Sequence, residues 1–269
     1  MNMYLSKISS ICRVLENLHT DSWYLGFCFK AIFKMMRTML VEFLENNKES
    51  PKLVESINVF MKEEAFEVMD DMWANRNKTK LDTLVHGDCW AANILFGRGA
   101  GHGTQAYLLD FQQVGVGNPL RDILSLLYSS TTMAFRSKFQ DSLLKTYYSI
   151  LKKYFRGYFF MSSCSYEMFY QLYLVNRKFG FVWGLYIVSV GEKIKDKDIS
   201  KKNDICSSVL HPDFRGRTVW DNSQQSVKEV LKRRFAMIAS NDPNVPSNYL
   251  DIRHRLLDLI REARDLKMQ

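Results

Sequence analysis

The sequence predicts a mainly α protein, of the α+β kind, whose helices surround one short β-hairpin near the middle of the chain. Three observations carry this. Apolar residues recur at helical spacing through most of the segments on either side of the middle. Strand-like runs are confined to the stretch from Leu84 to Phe111. The longest uncharged apolar run, Phe179 to Val190, falls short of the ~20 residues that span a bilayer, and so reads as a buried helix.

With 269 residues, 46% of them hydrophobic and 25% charged, the chain has the composition of an ordinary globular protein and can bury a sizeable core. Lys7, Arg13 and Glu16 interrupt the region where a signal peptide would need an apolar run. Five cysteines (Cys12, Cys28, Cys89, Cys164 and Cys206) are scattered and form no C-x-x-C pair. They read as reduced thiols of a cytoplasmic protein, neither a disulfide framework nor a zinc site. The net charge of +8 is moderate and its lysines and arginines are spread among acids. The expectation is therefore no nucleic-acid partner and no membrane partner, with a phosphate-bearing substrate accounting for part of the excess.

Taken in order, Leu5, Ile8, Ile11, Leu15 and Leu18 place a helix over 1–19. Asp21 and Ser22 are candidate caps for the next, Trp23 to Leu44, whose Phe29, Phe33, Met36, Leu40 and Phe43 form a core stripe. After a polar break at Asn46 to Pro51, a third helix runs from Lys52 to Trp73. Its acids, including Glu63, Glu64 and Glu67, have no His at matching spacing and read as a solvated face. Asn75 to Lys80 is a basic loop leading into the central stretch. Beyond it, Gly115, Gly117, Asn118 and Pro119 mark a loop. Asp122 then precedes a helix over Ile123 to Tyr128, and aromatic-rich helices follow over Phe135 to Phe155 and Tyr166 to Val190. Their aromatic side chains, such as Phe159, Phe169, Tyr173 and Trp183, fill the core by default, with an apolar acceptor pocket as the other reading. Glu192 to Ser208 reads as a mobile loop, and Arg215 to Ile238 and Tyr249 to Lys267 as amphipathic helices around a turn at Asn241-Asp242-Pro243. Lys232, Arg233, Arg234, Arg253 and Arg255 are assigned to a solvent face.

The chemistry lies between Leu84 and Phe111. His86, Asp88 and Asn93 stand in the order H-x-D-x-x-x-x-N, and Asp110 closes a second apolar run. This is the order of a catalytic loop and a metal-binding Asp in kinase-type phosphoryl transfer. Such a reaction needs an acceptor hydroxyl positioned, its proton accepted, and phosphate charge neutralised by a divalent cation. Asp88 suits the proton. Asn93 and Asp110 offer the hard oxygen ligands that Mg²⁺ favours. The Gly-rich run Gly97 to Gly103 matches neither the dinucleotide fingerprint nor a P-loop. It reads as the tip of a hairpin whose arms carry Asn93 and Asp110.

The stretches HGDCWAANILF (His86 to Phe96), LLDFQ (Leu108 to Gln112) and GNPLRDILSLL (Gly117 to Leu127) resemble the choline/aminoglycoside-kinase branch of the protein-kinase-like fold. Within it they are most similar to the ecdysteroid kinase-like (CHK kinase-like) family, on the strength of Trp90 and Gln112 in particular. VLENLHT (Val14 to Thr20) is similar to the first helix of that family's C-terminal lobe. The resemblance implies phosphorylation of a small-molecule hydroxyl, in some members a steroid, with ATP and Mg²⁺ as cofactors. It implies Asp88 as catalytic base, Asn93 and Asp110 as metal ligands, and His86 and Asp122 as supports of the loop. Leu95 and Leu109 would floor the nucleotide pocket. No strand-rich stretch with a suitable Lys precedes His86, so residues 1–269 are expected to be a single C-terminal lobe without its N-terminal lobe. Residues 81–112 would be its catalytic loop and metal-binding hairpin. The expected activity is that of a truncated small-molecule kinase; the alternative is an inactive kinase-like binding module.

Overall fold

The computed structural model describes residues 22–73, 82–98, 103–154, 164–191, 232–240 and 247–265. The expected helix over 1–19, the loops at 75–80 and 192–208, the turn at 241–243, Asp21 and Phe159 lie outside them. The described residues are mostly helical, with two small antiparallel sheets. They fall into two compact units, one built from Val68–Gly184 and the other from Trp23–Glu67 with the described residues after Gly184.

The second of these units has the simpler logic. Helix α1 (Ser22–Asn46) buries Ile32, Phe33, Met36, Leu40, Phe43 and Leu44, a stripe at helical spacing. It ends where the Asn47 side chain donates to the Phe43 carbonyl and Lys48 turns into the left-handed region. Ser50 caps helix α2 (Pro51–Glu63) by accepting from the Leu53 N–H at 3.3 Å, with Pro51 in the first turn where its missing N–H costs nothing. The helix expected over 52–73 is two helices, α2 ending at a Glu64 turn whose N–H still donates to the Phe60 carbonyl, and α3 running over Ala65–Trp73. Apolar spacing continues across the break, so periodicity alone could not register it. Helix α7 (Ser247–Asp265) buries Ile252, Leu256, Leu259 and Ile260. It is tied to the loop after α1 by Arg253 on the Asn47 side chain and Arg261 on Glu49.

Residues 232–239 are helical, ending one residue beyond the helix expected over Arg215 to Ile238. The solvent-face assignment fails for Arg234, which is 4% exposed and donates to the Val188 carbonyl at 3.2 Å. That carbonyl belongs to a π-helical turn, Ile187–Gly191, whose wider winding leaves backbone oxygens for a guanidinium to take up. Arg253 is half-buried, whereas Lys232 and Arg233 are exposed.

In the unit containing Val68–Gly184, β1 (Thr83–Val85) pairs with β4 (Gly115–Gly117), and β2 (Ile94–Arg98) pairs with β3 (Thr104–Leu108). The second pair is the expected hairpin. The first is a correction, since Gly115 and Gly117 suggested only a loop. Two glycines around one valine carry no strand signal of their own; the strand exists because β1 offers it a ladder.

Helices α4 (Leu120–Ser130), α5 (Met133–Tyr154) and α6 (Tyr166–Tyr186) complete this unit. Leu120, Leu124, Leu127 and Tyr128 of α4 are buried, as are Leu144, Phe169, Tyr173, Phe181 and Trp183. The core reading of the aromatic positions Phe169, Tyr173, Phe181 and Trp183 therefore stands. Close approach of α6 to α4 requires glycine: a Cβ on Gly184 would lie 2.9 Å from the Tyr128 carbonyl oxygen. Buried Arg136 donates to the Leu127 and Thr131 carbonyls and lies 4.7 Å from the Tyr128 ring centroid. It thereby closes the negative end of α4 with a cation. Among the described residues no helix is long and apolar enough to cross a membrane.

Candidate active site

The loop between β1 and β2 is shaped by its backbone first. Val85 ends β1 in the core, and Gly87 then takes φ +84°, where an L side chain is strained. A Cβ there would also overlap the backbone carbonyl of Gln113. A 3₁₀ turn, Ala91–Asn93, brings the chain back towards Asp88 before β2 begins. Asn93 Nδ2 then donates to the Asp88 carbonyl oxygen at 2.9 Å and to Asp88 Oδ2 at 3.0 Å. With both amide protons turned to Asp88, Oδ1 of Asn93 is left as the acceptor side of the group.

Asp110 follows the other arm of the hairpin. The Leu109 N–H donates to the Asn93 carbonyl at 2.9 Å, extending the β2–β3 ladder by one bond and placing Asp110 next to the turn. Asp110 itself sits at φ 60°, ψ 65°, an uncommon place for a residue with a side chain, and is exposed. Gln112 Nε2 donates to its Oδ2 at 3.2 Å.

His86 joins the two arms. The Asp88 N–H donates to Nδ1 at 3.3 Å, which leaves the proton on Nε2 to be donated to the Leu109 carbonyl at 2.8 Å. Its ring packs on Phe111 at 4.9 Å between centroids. Asp122, in the first turn of α4, accepts from the His86 N–H at 2.7 Å and the Gly87 N–H at 2.9 Å, one bond to each oxygen. Arg121 donates to the Gly87 carbonyl at 3.0 Å, and the Ala91 N–H donates to Ser130 Oγ at 2.8 Å. One helix therefore grips the loop through three side chains, from both of its ends.

Electrostatics follow from this packing. Burial pushes the Asp88 carboxyl above its ordinary value, as does the neighbouring Asp110 charge, while the Asn93 hydrogen bond opposes both. Burial pushes the Cys89 thiol up to about 12, with Asp122 and Asp88 adding to the shift, so it is no nucleophile at neutral pH. Burial also lowers the Arg121 guanidinium to about 10 against the pull of Asp122 and Asp88; it still carries its charge at neutral pH.

His86, Asp88, Asn93, Asp110 and Asp122 are thus brought into one network. Leu95 and Leu109 are 54% and 38% exposed, beside Phe96 at 72%. The sequence reading assigned no role to Arg121, Ser130 or Gly87. Arg121 stands beside Asp122 ahead of the apolar run and reads there as an ordinary charged helix start, and Ser130 left no signal either. No group of three or more His, Cys, Asp or Glu suited to a metal occurs among the described residues.

A family model described as the ecdysteroid kinase-like family matches residues 12–157, more than half of the chain. No curated protein and no solved structure matches it.

Proposed function

We propose that this chain, which belongs to the ecdysteroid kinase-like family, transfers a phosphoryl group from ATP to the hydroxyl of a small molecule, a steroid-like or other hydrophobic alcohol. Family membership supports a small-molecule phosphotransferase in general terms; ATP, Mg²⁺, the acceptor, the residue roles and a cytoplasmic location are our reading. The observation that carries it is the pair of bonds from the Asn93 amide to Asp88, made beside Asp110.

Asp88 is the base. Its carboxylate is held by Asn93 and partly withdrawn from water, which favours proton uptake from an acceptor hydroxyl. The donor set of Asn93 Oδ1 and the exposed Asp110 carboxylate fits Mg²⁺, which takes few protein oxygens and completes its shell with phosphates and water. A three-residue protein cage is therefore not required. When bound, the ion supplies neutralisation of charge on the transferring phosphate. His86 and Asp122 fix the loop that carries Asp88. Exposed Leu95 and Leu109 give apolar surface that a nucleotide base would cover. We read residues 1–269 as belonging to a single C-terminal lobe, with 81–112 as its working part.

The test is ATP consumption with a panel of hydrophobic alcohols, beside calorimetry with Mg-ATP. Asp88→Ala is expected to lower kcat by at least about 100-fold. Turnover that persists in Asp88→Ala overturns the assignment of the base. Metal-dependent ATP binding argues against the inactive binding module, and its absence together with no turnover on any alcohol favours that module.

A further inference from the structure

Helix α5 is apolar on two faces, and only one of them is buried. Leu144 and Leu151 lie inward. At about 100° per residue, Phe135, Phe139, Leu143, Ile150 and Tyr154 fall on a separate arc of roughly 100°. They are 39%, 39%, 42%, 50% and 74% exposed. The polar side chains within or beside this arc do not face outward with open donors. Ser142, Thr146 and Ser149 donate back to the carbonyls of Phe139, Ser142 and Thr146 at 2.8, 2.9 and 2.7 Å.

Lysines follow the same line. Lys138, Lys145 and Lys152 recur every seven residues along one side of the stripe, and Lys153 lies beside Tyr154. Lys138 Nζ is 5.0 Å from the Phe139 ring centroid and Lys153 Nζ is 5.5 Å from that of Tyr154, the stems running along the aromatic surface. The one acid on the helix, Asp141, is held by Lys145 at 2.7 Å and by the Tyr166 hydroxyl. The outer face therefore combines exposed apolar side chains, internally spent hydroxyls and a one-sided row of lysines, of which Lys145 is paired with Asp141 and Lys152 donates to the Tyr148 hydroxyl at 3.1 Å.

We propose that this face of α5 docks on an anionic lipid surface, its stripe resting at the headgroup boundary and its lysines on acidic headgroups. The helix carries four lysines against one acid that is itself paired, so charge complementarity calls for an anionic partner, and the spent hydroxyls leave no neutral donor to set a register on a protein. A bilayer needs only an apolar edge and positive charge, which this helix offers over about 28 Å of its length. The docking is peripheral; it departs from the expectation of no membrane partner, which rested on overall charge and not on this face, and it stands independently of the phosphotransferase reading.

The test is co-sedimentation of the full chain with phosphatidylserine-containing and pure phosphatidylcholine vesicles, at low and high salt. Binding is expected to the anionic vesicles alone and to weaken with salt. Each lysine near such a surface is worth about fivefold in partitioning, so Lys138→Glu with Lys152→Glu is expected to reduce binding by more than about 25-fold. Phe139→Ser with Leu143→Ser should reduce it by about tenfold or more through lost apolar contact. These four side chains are all exposed, and thermal unfolding checks that each double variant still folds. Absence of binding to anionic vesicles, equal binding to neutral ones, or wild-type binding by both variants overturns the proposal. Self-association of the chain that Phe139→Ser with Leu143→Ser abolishes, without vesicle binding, overturns it in favour of a protein contact.

Discussion

At Asp122 one carboxylate serves two backbone N–H groups, those of His86 and Gly87, with one oxygen each. No neutral side chain of that size can do the same. Asp122→Asn keeps the shape but offers one acceptor and turns an NH₂ group towards the second N–H. A lost charge-assisted bond of this kind costs about 1.5–3 kcal/mol. The expected result is a lower urea midpoint at unchanged m, the signature of lost stability without a change in exposed surface. Gly87 is constrained for a different reason. Gly87→Ala meets both the φ of +84° and the Gln113 carbonyl. The dihedral alone costs about 1–3 kcal/mol, and the overlap forces a backbone shift in addition. Its melting temperature should fall, with loss of amide protection at His86 and Ala91; an unchanged melting temperature would show that the loop relaxes freely.

Elements show where the sequence was legible. The hairpin could be read because Ile94 to Phe96 and Ala106 to Leu108 are apolar runs around a Gly-rich tip, and both runs lie in strands of the structure. The order of His86, Asp88, Asn93 and Asp110 was equally visible, since those residues sit on consecutive turns and strands of one short stretch. What could not be read are bonds supplied from a distance, such as Ser130 to Ala91, because neither residue type marks the contact. Likewise β4 owes its existence to its partner strand, and the two apolar faces of α5 look alike until one is buried. The pairing of α5 with α6 carries a pH dependence. Lys145 holds the Asp141 carboxyl below its ordinary value, and the Tyr166 hydroxyl adds to this. A carboxyl depressed on folding contributes stability that is present above its unfolded value and is lost as pH falls through the folded one. Tyr166→Phe removes the second of these causes, so Asp141 should titrate closer to an ordinary Asp in an NMR titration. The contribution is small because the pair is exposed and screened. An unmoved Asp141 would mean that Lys145 alone sets it.

For the whole molecule, the division into two compact units has a consequence for how damage spreads. Each unit closes its own core and makes its own ties: Arg234 to the π turn at Val188 in one, Asp122 to the loop between β1 and β2 in the other. Arg234 was misread as a surface cation because a lone arginine beside Lys232 and Arg233 looks like a solvated run, and nothing local reveals a carbonyl forty-six positions away. A buried guanidinium removed in Arg234→Ala leaves that carbonyl without its donor, at a cost of about 1–3 kcal/mol for the unsatisfied group. Stability is not uniform across a chain built of separately packed parts, and lesions open the part that holds them first. Hydrogen exchange in Arg234→Ala should therefore quicken at residues 187–191 and along α7 before it changes at His86, Gly87 and Ala91. Asp122→Asn should show the reverse order. Equal acceleration at both sets of amides in both variants would show one cooperative unit, with the loop around Asp88 stabilised by the molecule as a whole rather than by α4.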